Sequence, residues 1–321
     1  MRRWLLRLAL AAPVAVLFAF AGLLWSASGQ LLAPSWHGAT RDLGACPSGL
    51  EKAWGPACGN LRATHALAFE EIRIPALGGY DLPGWLVRSA ENGGGPAAGA
   101  ILLVHGGGSD RRELTRHVRF YLSRHLDVLA FDLACHGEAP CPVPGLTYGE
   151  RESRDLLSAY LWLTARYGAV LAMGSSVGAS ALLEALPAMP RLTAVVAENP
   201  MATFQRLIAE FPGARSTPAW MKRLLVGVTM LRGRFSGLEN PQRALRLAGA
   251  TTPILFVHSL RDGVVSHSQT RELAEGYAGP KTTWFPDRGD HGTIRDVDPA
   301  DYERRVAEFL DTTRPALTPS P

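Results

Sequence analysis

Apolar residues in this chain come mainly in short unbroken runs, not in alternation with polar ones. Residues 101–104, 128–131, 170–173, 194–197 and 254–257 are each four consecutive apolar positions. Runs of this kind predict strands covered on both faces, whereas alternation predicts a sheet with one wet face. Between the runs lie stretches at helical spacing, notably residues 111–123 and the amphipathic 148–168. Strands alternating with helices specify an α/β fold with a mostly parallel, twisted sheet flanked by helices. Upstream, residues 67–77 and 80–90 are strand-like and meet around Gly78-Gly79, which predicts an antiparallel hairpin. Residues 281–285 predict an edge strand.

Two segments break this rhythm. Residues 201–247 are longer than one connecting helix needs and are rich in large apolar side chains. They predict a small helical lid, an insertion whose apolar face covers a pocket. Phe204, Leu207, Phe211, Trp220 and Leu224 are the residues expected to line it. The other break is residues 8–25, eighteen positions without a charge, preceded by Arg2, Arg3 and Arg7 and bracketed by Trp4 and Trp25. At about 1.5 Å per residue this run spans roughly 27 Å, enough for a thin bilayer. A membrane anchor with its N-terminus in the cytoplasm follows from the flanking arginines. A cleaved signal peptide, cut near Ala19-Phe20-Ala21, is the competing reading, and a buried core helix is a third. The first two place the body outside the cytoplasm, on the periplasmic or extracellular side, secreted if the segment is cleaved.

The domain organisation that results is an anchor or signal segment (1–28), an irregular arm (29–66), an α/β domain (67–311) carrying the lid (201–247), and a disordered tail (312–321). The four cysteines fall in two close pairs, Cys46 with Cys58 and Cys135 with Cys141, as an exported protein with local disulfides would have them. Free thiols, or a zinc site that uses the adjacent His136, are the alternatives; neither pair has C-x-x-C spacing. Composition adds two exclusions. With 47% apolar and 19% charged residues the chain is not of a disordered type. Its net charge of +4 owes three units to the N-terminal arginines, and no basic cluster is interleaved with aromatics, so nucleic acid is not an expected partner.

The chemistry-bearing residues gather where the apolar runs end, the side on which open α/β sheets bind ligands. The run at 101–104 ends in His105-Gly106-Gly107-Gly108, that at 128–131 in Asp132, that at 170–173 in Gly174-Ser175-Ser176-Val177-Gly178, and that at 254–257 shortly before Asp262. His291 follows the edge strand. A nucleophile, an acid and a base therefore occur in the order Ser, Asp, His. Only Ser176 is framed by a glycine two positions away on each side. Ser176 needs a base to take its proton; His291 is the candidate, with Asp262 holding its tautomer. The amides of Val177, at the first turn of a helix, and Gly107 are the candidate oxyanion donors. His258 is expected as a supporting residue, His105 as an organiser of the glycine loop, and Asp132 as a brace.

From residue 67 to 310 the chain resembles the serine α/β-hydrolases, and within them the α/β-hydrolase-domain and serine-aminopeptidase-like group. The resemblance is carried by "LLVHGGG", "FDLACHGEA", "YGERESRDLLSAYLWL", "MGSSVGAS", "VVAENP", "ILFVHSLRDGVV" and "GDHG". Two loops depart from the group's usual pattern: residues 134–139 read Ala-Cys-His-Gly-Glu-Ala, and His258 is followed by Ser259 where glycine is usual. The resemblance implies an α/β-hydrolase fold and a serine hydrolase acting on an acyl ester or thioester, such as a lipid-like ester, with no metal or organic cofactor. A peptidase on the same triad and a catalytically silent binding protein of this fold are the alternatives.

Overall fold

The computed structural model describes residues 2–34, 42–46, 49–93, 95–249 and 251–313, with side chains from residue 13 onward. Its centre is one eight-stranded sheet in the order β1-β2-β4-β3-β5-β6-β7-β8. The strands are β1 (Glu70–Pro75), β2 (Asp81–Val87), β3 (Gly99–Val104), β4 (Leu126–Phe131), β5 (Val170–Ser175), β6 (Leu192–Glu198), β7 (Ile254–Val257) and β8 (Lys281–Trp284). The β1–β2 hairpin joins β4 antiparallel, and every pairing from β4 to β8 is parallel. The unbroken apolar runs are explained by this arrangement. On β3, Leu102 and Val104 pack into one core while Ile101 and Leu103 pack into the other.

The first core is closed by α5 (Glu152–Thr164) and α6 (Val177–Ala185), with help from α9 (Pro241–Leu247) and α10 (His267–Gly276). The second is closed by α4 (Val118–Ser123), with α11 (Ile294–Val297) and α12 (Pro299–Asp311). Helix α6 is buried at every residue but Glu184, whereas α5 buries one stripe: Leu156, Ala159, Tyr160 and Leu163 follow the spacing that sets an amphipathic face. The predicted helix over 111–123 is shorter than expected. Residues 111–117 form turns, because Arg111 and Arg112 are wholly buried and spend their guanidinium groups on Asp132 and Asp110 instead of on a helix surface.

The predicted irregular arm is corrected. Helix α1 (Arg2–Leu32) runs past the expected end of the anchor, and α2 (Leu50–Trp54) and α3 (Leu61–Thr64) follow on the body. Cys46 is bonded to Cys58, and Asn60 donates to the Leu43 carbonyl at 2.6 Å. Arg112 donates to the carbonyls of Leu43 and Ala45, and Thr115 to that of Gly59. Leu43 and Leu61 are buried in the second core. Polar side chains from the body thus hold backbone that has no regular ladder of its own. Cys135 is bonded to Cys141, so all four sulfurs are committed to disulfides and none is left as a metal ligand.

The segment over 201–247 is helical, with α7 (Phe204–Glu210), α8 (Ala219–Gly233) and α9. Helix α8 lies beside α1, where the rings of Phe20 and Trp220 are 5.9 Å apart. The last turn of α1 is capped by the body: the Leu146 amide donates to the Leu32 carbonyl at 2.9 Å and the Tyr148 hydroxyl to the Leu31 carbonyl at 2.8 Å. Of the predicted tail, residues 314–321 lie outside the described residues.

Closing loops over sequence separations of 12 and 6, each disulfide is expected to contribute about 2–3 kcal/mol by restricting the unfolded chain. Peptide mapping without reductant should find Cys46 joined to Cys58 and Cys135 joined to Cys141. Replacing either pair by serine should lower the denaturation midpoint, and an unchanged midpoint would show that the loops are held by the body alone.

Candidate active site

The site is built on one sharp turn. Strand β5 ends at Ser175, α6 begins at Val177, and Ser176 between them has φ 52° and ψ −116°. A non-glycine residue there is strained by roughly 1–3 kcal/mol, tolerated only where the surroundings over-determine it. They do so through the two framing glycines. A Cβ on Gly178 would lie 2.3 Å from the Val104 carbonyl oxygen, and one on Gly174 would lie 2.7 Å from the Ala179 nitrogen. The Ser176 amide donates to the Glu198 carbonyl at 2.8 Å, so β6 holds the turn from the other side.

Three side chains from three strand ends meet at this turn. Ser176 Oγ is 2.8 Å from His291 Nε2, and His291 Nδ1 is 2.7 Å from Asp262 Oδ2. With its proton on Nδ1, His291 donates to Asp262 and presents a lone pair to the serine hydroxyl. Asp262 Oδ1 accepts the amides of Val264 and Val265, both at 2.8 Å. Its Oδ2 is also 3.1 Å from His258 Nε2. The other contact of that nitrogen is the Val265 carbonyl at 3.0 Å, so both partners are acceptors and the proton sits on Nε2. His258 Nδ1 meets the Thr270 hydroxyl at 2.6 Å. His258 thus supports the acid from a fully buried position, as the sequence suggested, and makes no contact with Ser176 among the described residues.

Electrostatics follow from these contacts. Burial alone would push the Asp262 carboxyl up, but hydrogen bonds from His258 and His291 outweigh it and hold Asp262 well below the usual carboxylate range. For His291, burial disfavours the charged ring, and the hydrogen bond and charge of Asp262 more than reverse this, so its pKa is raised. Asp262 is therefore ionised at neutral pH, and an imidazolium at His291 would be stabilised where it forms.

The glycine loop after β3 leaves one amide unpartnered next to the turn. Gly106 donates its N–H to Glu113 Oε2 at 2.7 Å, and Gly108 donates its N–H to His136 Nε2 at 2.8 Å. Gly107, between them, has no hydrogen-bond acceptor for its amide among the described residues. A Cβ on Gly107 would lie 2.6 Å from Val177 Cγ2, so its backbone faces the start of α6. Val177 occupies the first position of that helix, where no intrahelical acceptor exists. Two amides are thus presented beside Ser176. His105 and Asp132 brace the loops on either side: His105 Nδ1 meets the Gly106 carbonyl and its Nε2 accepts the Leu133 amide, while Asp132 accepts the amides of Arg111 and Glu138.

Sequence reasoning missed Glu113 and the true task of His136. Glu113 falls in the stretch that reads as the helix 111–123, yet it lies in a turn, is buried and fastens Gly106. His136 stands beside a cysteine, which makes it a candidate metal ligand by sequence, whereas its ring accepts from the glycine loop 28 positions upstream. The predicted pocket residues separate into two groups. Phe204 and Leu207 join Val177 and Leu146 in one apolar cluster next to the turn. Phe211, Trp220 and Leu224 are exposed and are not members of it. A cavity of about 510 Å³ lies elsewhere, beside the Cys135 loop, where Tyr80 donates to Asp155 at 2.5 Å; it shares no residue with Ser176, Asp262 or His291.

A histidine whose pKa is raised by a carboxylate stabilises the fold at low pH and loses that contribution as the pH rises through its folded pKa. An NMR titration should therefore place the His291 midpoint above the ordinary 6.5, and Asp262→Asn should bring it down. A midpoint unmoved by Asp262→Asn would show that the two groups do not interact.

With this geometry in hand, comparison with known proteins is informative. The family model described as the alpha/beta hydrolase family matches residues 101–308. The uncharacterized protein YqkD of Bacillus subtilis (strain 168) is 27% identical over 249 residues, covering 74% of this chain and 78% of YqkD. The Pyrococcus furiosus esterase Pf2001 superposes with a TM-score of 0.61 at 22% identity, over 77% of this chain and 92% of its own. An alpha-beta hydrolase from Vibrio vulnificus gives 0.61 at 16% identity, over 87% and 94%. The Pyrococcus horikoshii acylaminoacyl peptidase gives 0.59 at 18% identity over 80% of this chain, which spans 43% of that longer protein. These structural likenesses concern the fold.

Proposed function

This chain belongs to the alpha/beta hydrolase family, and on that premise we propose that it is a serine hydrolase that cleaves an acyl ester or thioester through an acyl-enzyme. The observation that carries the reading is the continuous chain from Ser176 Oγ through His291 to Asp262, at 2.8 and 2.7 Å. Ser176 Oγ attacks the acyl carbon as His291 Nε2 takes its proton. The carbonyl oxygen, now anionic, is held by the amides of Gly107 and Val177, each worth about 3 kcal/mol in the transition state. His291 then gives the proton to the leaving alkoxide or thiolate. In the second half a water attacks the acyl-serine with His291 again as base, releasing the acid and restoring the serine. The ionised Asp262 stabilises the imidazolium in both halves.

The substrate class follows from the apolar cluster beside the oxyanion donors. Val177, Leu146, Phe204, Leu207 and Phe235 are side chains suited to an acyl chain and offer no charge to an α-amine. The Pyrococcus furiosus neighbour is an esterase by name and the Pyrococcus horikoshii one an acylaminoacyl peptidase, so an amide substrate is the second arm of the test. Helix α1, long and apolar enough to cross a membrane, serves as the anchor. Its leading arginines and the two disulfides support a catalytic domain outside the cytoplasm.

A fluorophosphonate should label Ser176, and Ser176→Ala should abolish labelling and lower turnover more than about 10³-fold without unfolding the protein. His291→Gln should be nearly as damaging, while His258→Gln keeps measurable activity. Labelling that survives Ser176→Ala would overturn the assignment. In a series of p-nitrophenyl esters, kcat/KM should rise about fourfold per buried methylene until the cluster is filled, from about 0.8 kcal/mol each. Phe204→Ala should flatten that rise. Equal rates on acetyl and octanoyl esters, or faster cleavage of an aminoacyl anilide, would exclude the acyl-ester reading.

A further inference from the structure

The chain's charge is not spread evenly. Residues 201–247 hold eight lysines and arginines against two glutamates, a net of +6 in a chain whose total is +4, so all other residues together carry −2. Arg206 is spent on Glu210 and Glu272, and Arg243 on Glu239. Arg215, Arg223, Arg234 and Arg246 are exposed and have no ion pair among the described residues.

The same segment carries large apolar side chains on its outside. On α8, Trp220, Leu224 and Leu231 are 56%, 40% and 80% exposed, and Arg223 and Gly227 share their helical stripe. The opposite stripe, Val226, Thr229 and Gly233, is buried on the body. A surface helix normally shows its polar face to water; this one shows tryptophan, leucine and arginine. Tryptophan and leucine beside arginine are side chains suited to a membrane interface, aromatic and apolar groups towards the acyl chains and guanidinium towards the phosphates.

The partner of α8 is α1. Among the described side chains of α1 one stripe is covered, through Phe20, Leu24, Ala27, Ser28, Leu31 and Leu32, while Phe18, Leu23 and Trp25 are exposed. Trp220 meets Phe20 at the start of α8, and Arg232 near its end donates to Ser28 and stacks on Trp25 at 3.6 Å. The two helices therefore run parallel. With Trp25 at the interface, the level of Phe20 and Trp220 lies about 7 Å deeper, five residues along the helix at about 1.5 Å each. Running parallel to α1, α8 therefore dips its N-terminal end below the interface and keeps its C-terminal end, at Arg232, level with Trp25.

We propose that α8, with the loop before it, is a membrane-docking surface that sits in the outer leaflet of an anionic phospholipid bilayer beside α1. The proposal rests on the reading of α1 as the anchor. Exposed arginines contact lipid phosphates while Trp220 and Leu224 enter the acyl region. The other face of α8 packs into the apolar cluster that includes Val177 and Phe204, so an ester dissolved in the leaflet lies one helix away from Ser176.

The test uses the full-length chain in lipid nanodiscs. All four native cysteines are in disulfides, so Leu224→Cys supplies a single thiol for an environment-sensitive fluorophore. Ala165→Cys, exposed just past the C-terminal end of α5, is the reference site. In discs of phosphatidylcholine with phosphatidylglycerol, a nitroxide on the lipid acyl chain should quench the probe at 224 and leave the probe at 165 bright. Each basic residue at an anionic surface is worth roughly fivefold in partitioning, so Arg215→Glu combined with Arg223→Glu should return the 224 probe to a water-like signal. A chain that co-elutes with the disc but shows no quenching at 224, or quenching unaffected by the two charge reversals, overturns the docking surface and leaves the anchor standing. A chain that does not co-elute with the disc overturns the anchor and the docking surface with it.

Discussion

Everything at the centre of this molecule depends on how closely the first turn of α6 approaches the end of β3. The backbone at Gly178 comes so near the Val104 and His105 carbonyls that no side chain could stand between them. That approach forces Ser176 into its strained conformation, sets the Val177 amide free at the helix start, and brings Gly107 against Val177. One contact between two backbones thus positions the hydroxyl and both amides together. An alanine at Gly178 would separate helix from strand and disperse all three. The strain at Ser176 is stored against the parallel sheet, whose hydrogen bonds to β6 and β3 keep the strand end from relaxing.

Around that contact, buried charge is spent on holding loops. Arg111 with Asp132, Arg112 with Asp110, and Glu113 with the Gly106 amide lie in or beside the glycine loop, and their partners stand in the same loop, just past the end of β4, or in the N-terminal arm. Ion pairs this deep gain little net stability, since desolvation offsets attraction, but removing one partner leaves a charge that burial makes costly. Their consequence here is geometric. A loop held this way keeps its amides aimed without reorganising when charge develops nearby, which is the condition under which hydrogen-bond donors stabilise an oxyanion most strongly. Asp262 follows the same logic, with two backbone amides on one oxygen and two imidazoles on the other.

The N-terminal helix belongs to the same mechanical unit. Its last carbonyls are capped by Leu146 and Tyr148, and both residues pack in the cluster that contains Val177. A passive tether would be joined to its domain by open chain. Here the helix end is bonded into the wall of the site, so the position of α1 and the shape of the apolar cluster are linked through rigid packing.

Much of this was legible in the order of residues alone. Unbroken apolar runs alternating with helical spacing predict strands buried on both faces, and the ends of parallel strands share one side of a sheet, which puts Ser176, Asp262 and His291 on the same side. The glycines at 174 and 178 carry their own reason, because close backbone approach excludes every other residue. What sequence could not decide is anything set by contacts between distant segments whose local pattern is ambiguous. Glu113 falls in a stretch with helical spacing and His136 beside a cysteine, and only the packing of one loop on another gives them their amide partners. Residues 29–66 have no periodicity, and their short helices exist because a disulfide and side chains from Arg112 and Thr115 supply hydrogen bonds that the segment lacks. Trp220 and Leu224 have the same apolar character as Phe204, yet the first two face outward along α8 and the third faces inward on α7. Hydrophobicity establishes that a side chain is costly to leave in water; only the tertiary structure decides which of them finds an apolar neighbour in the body.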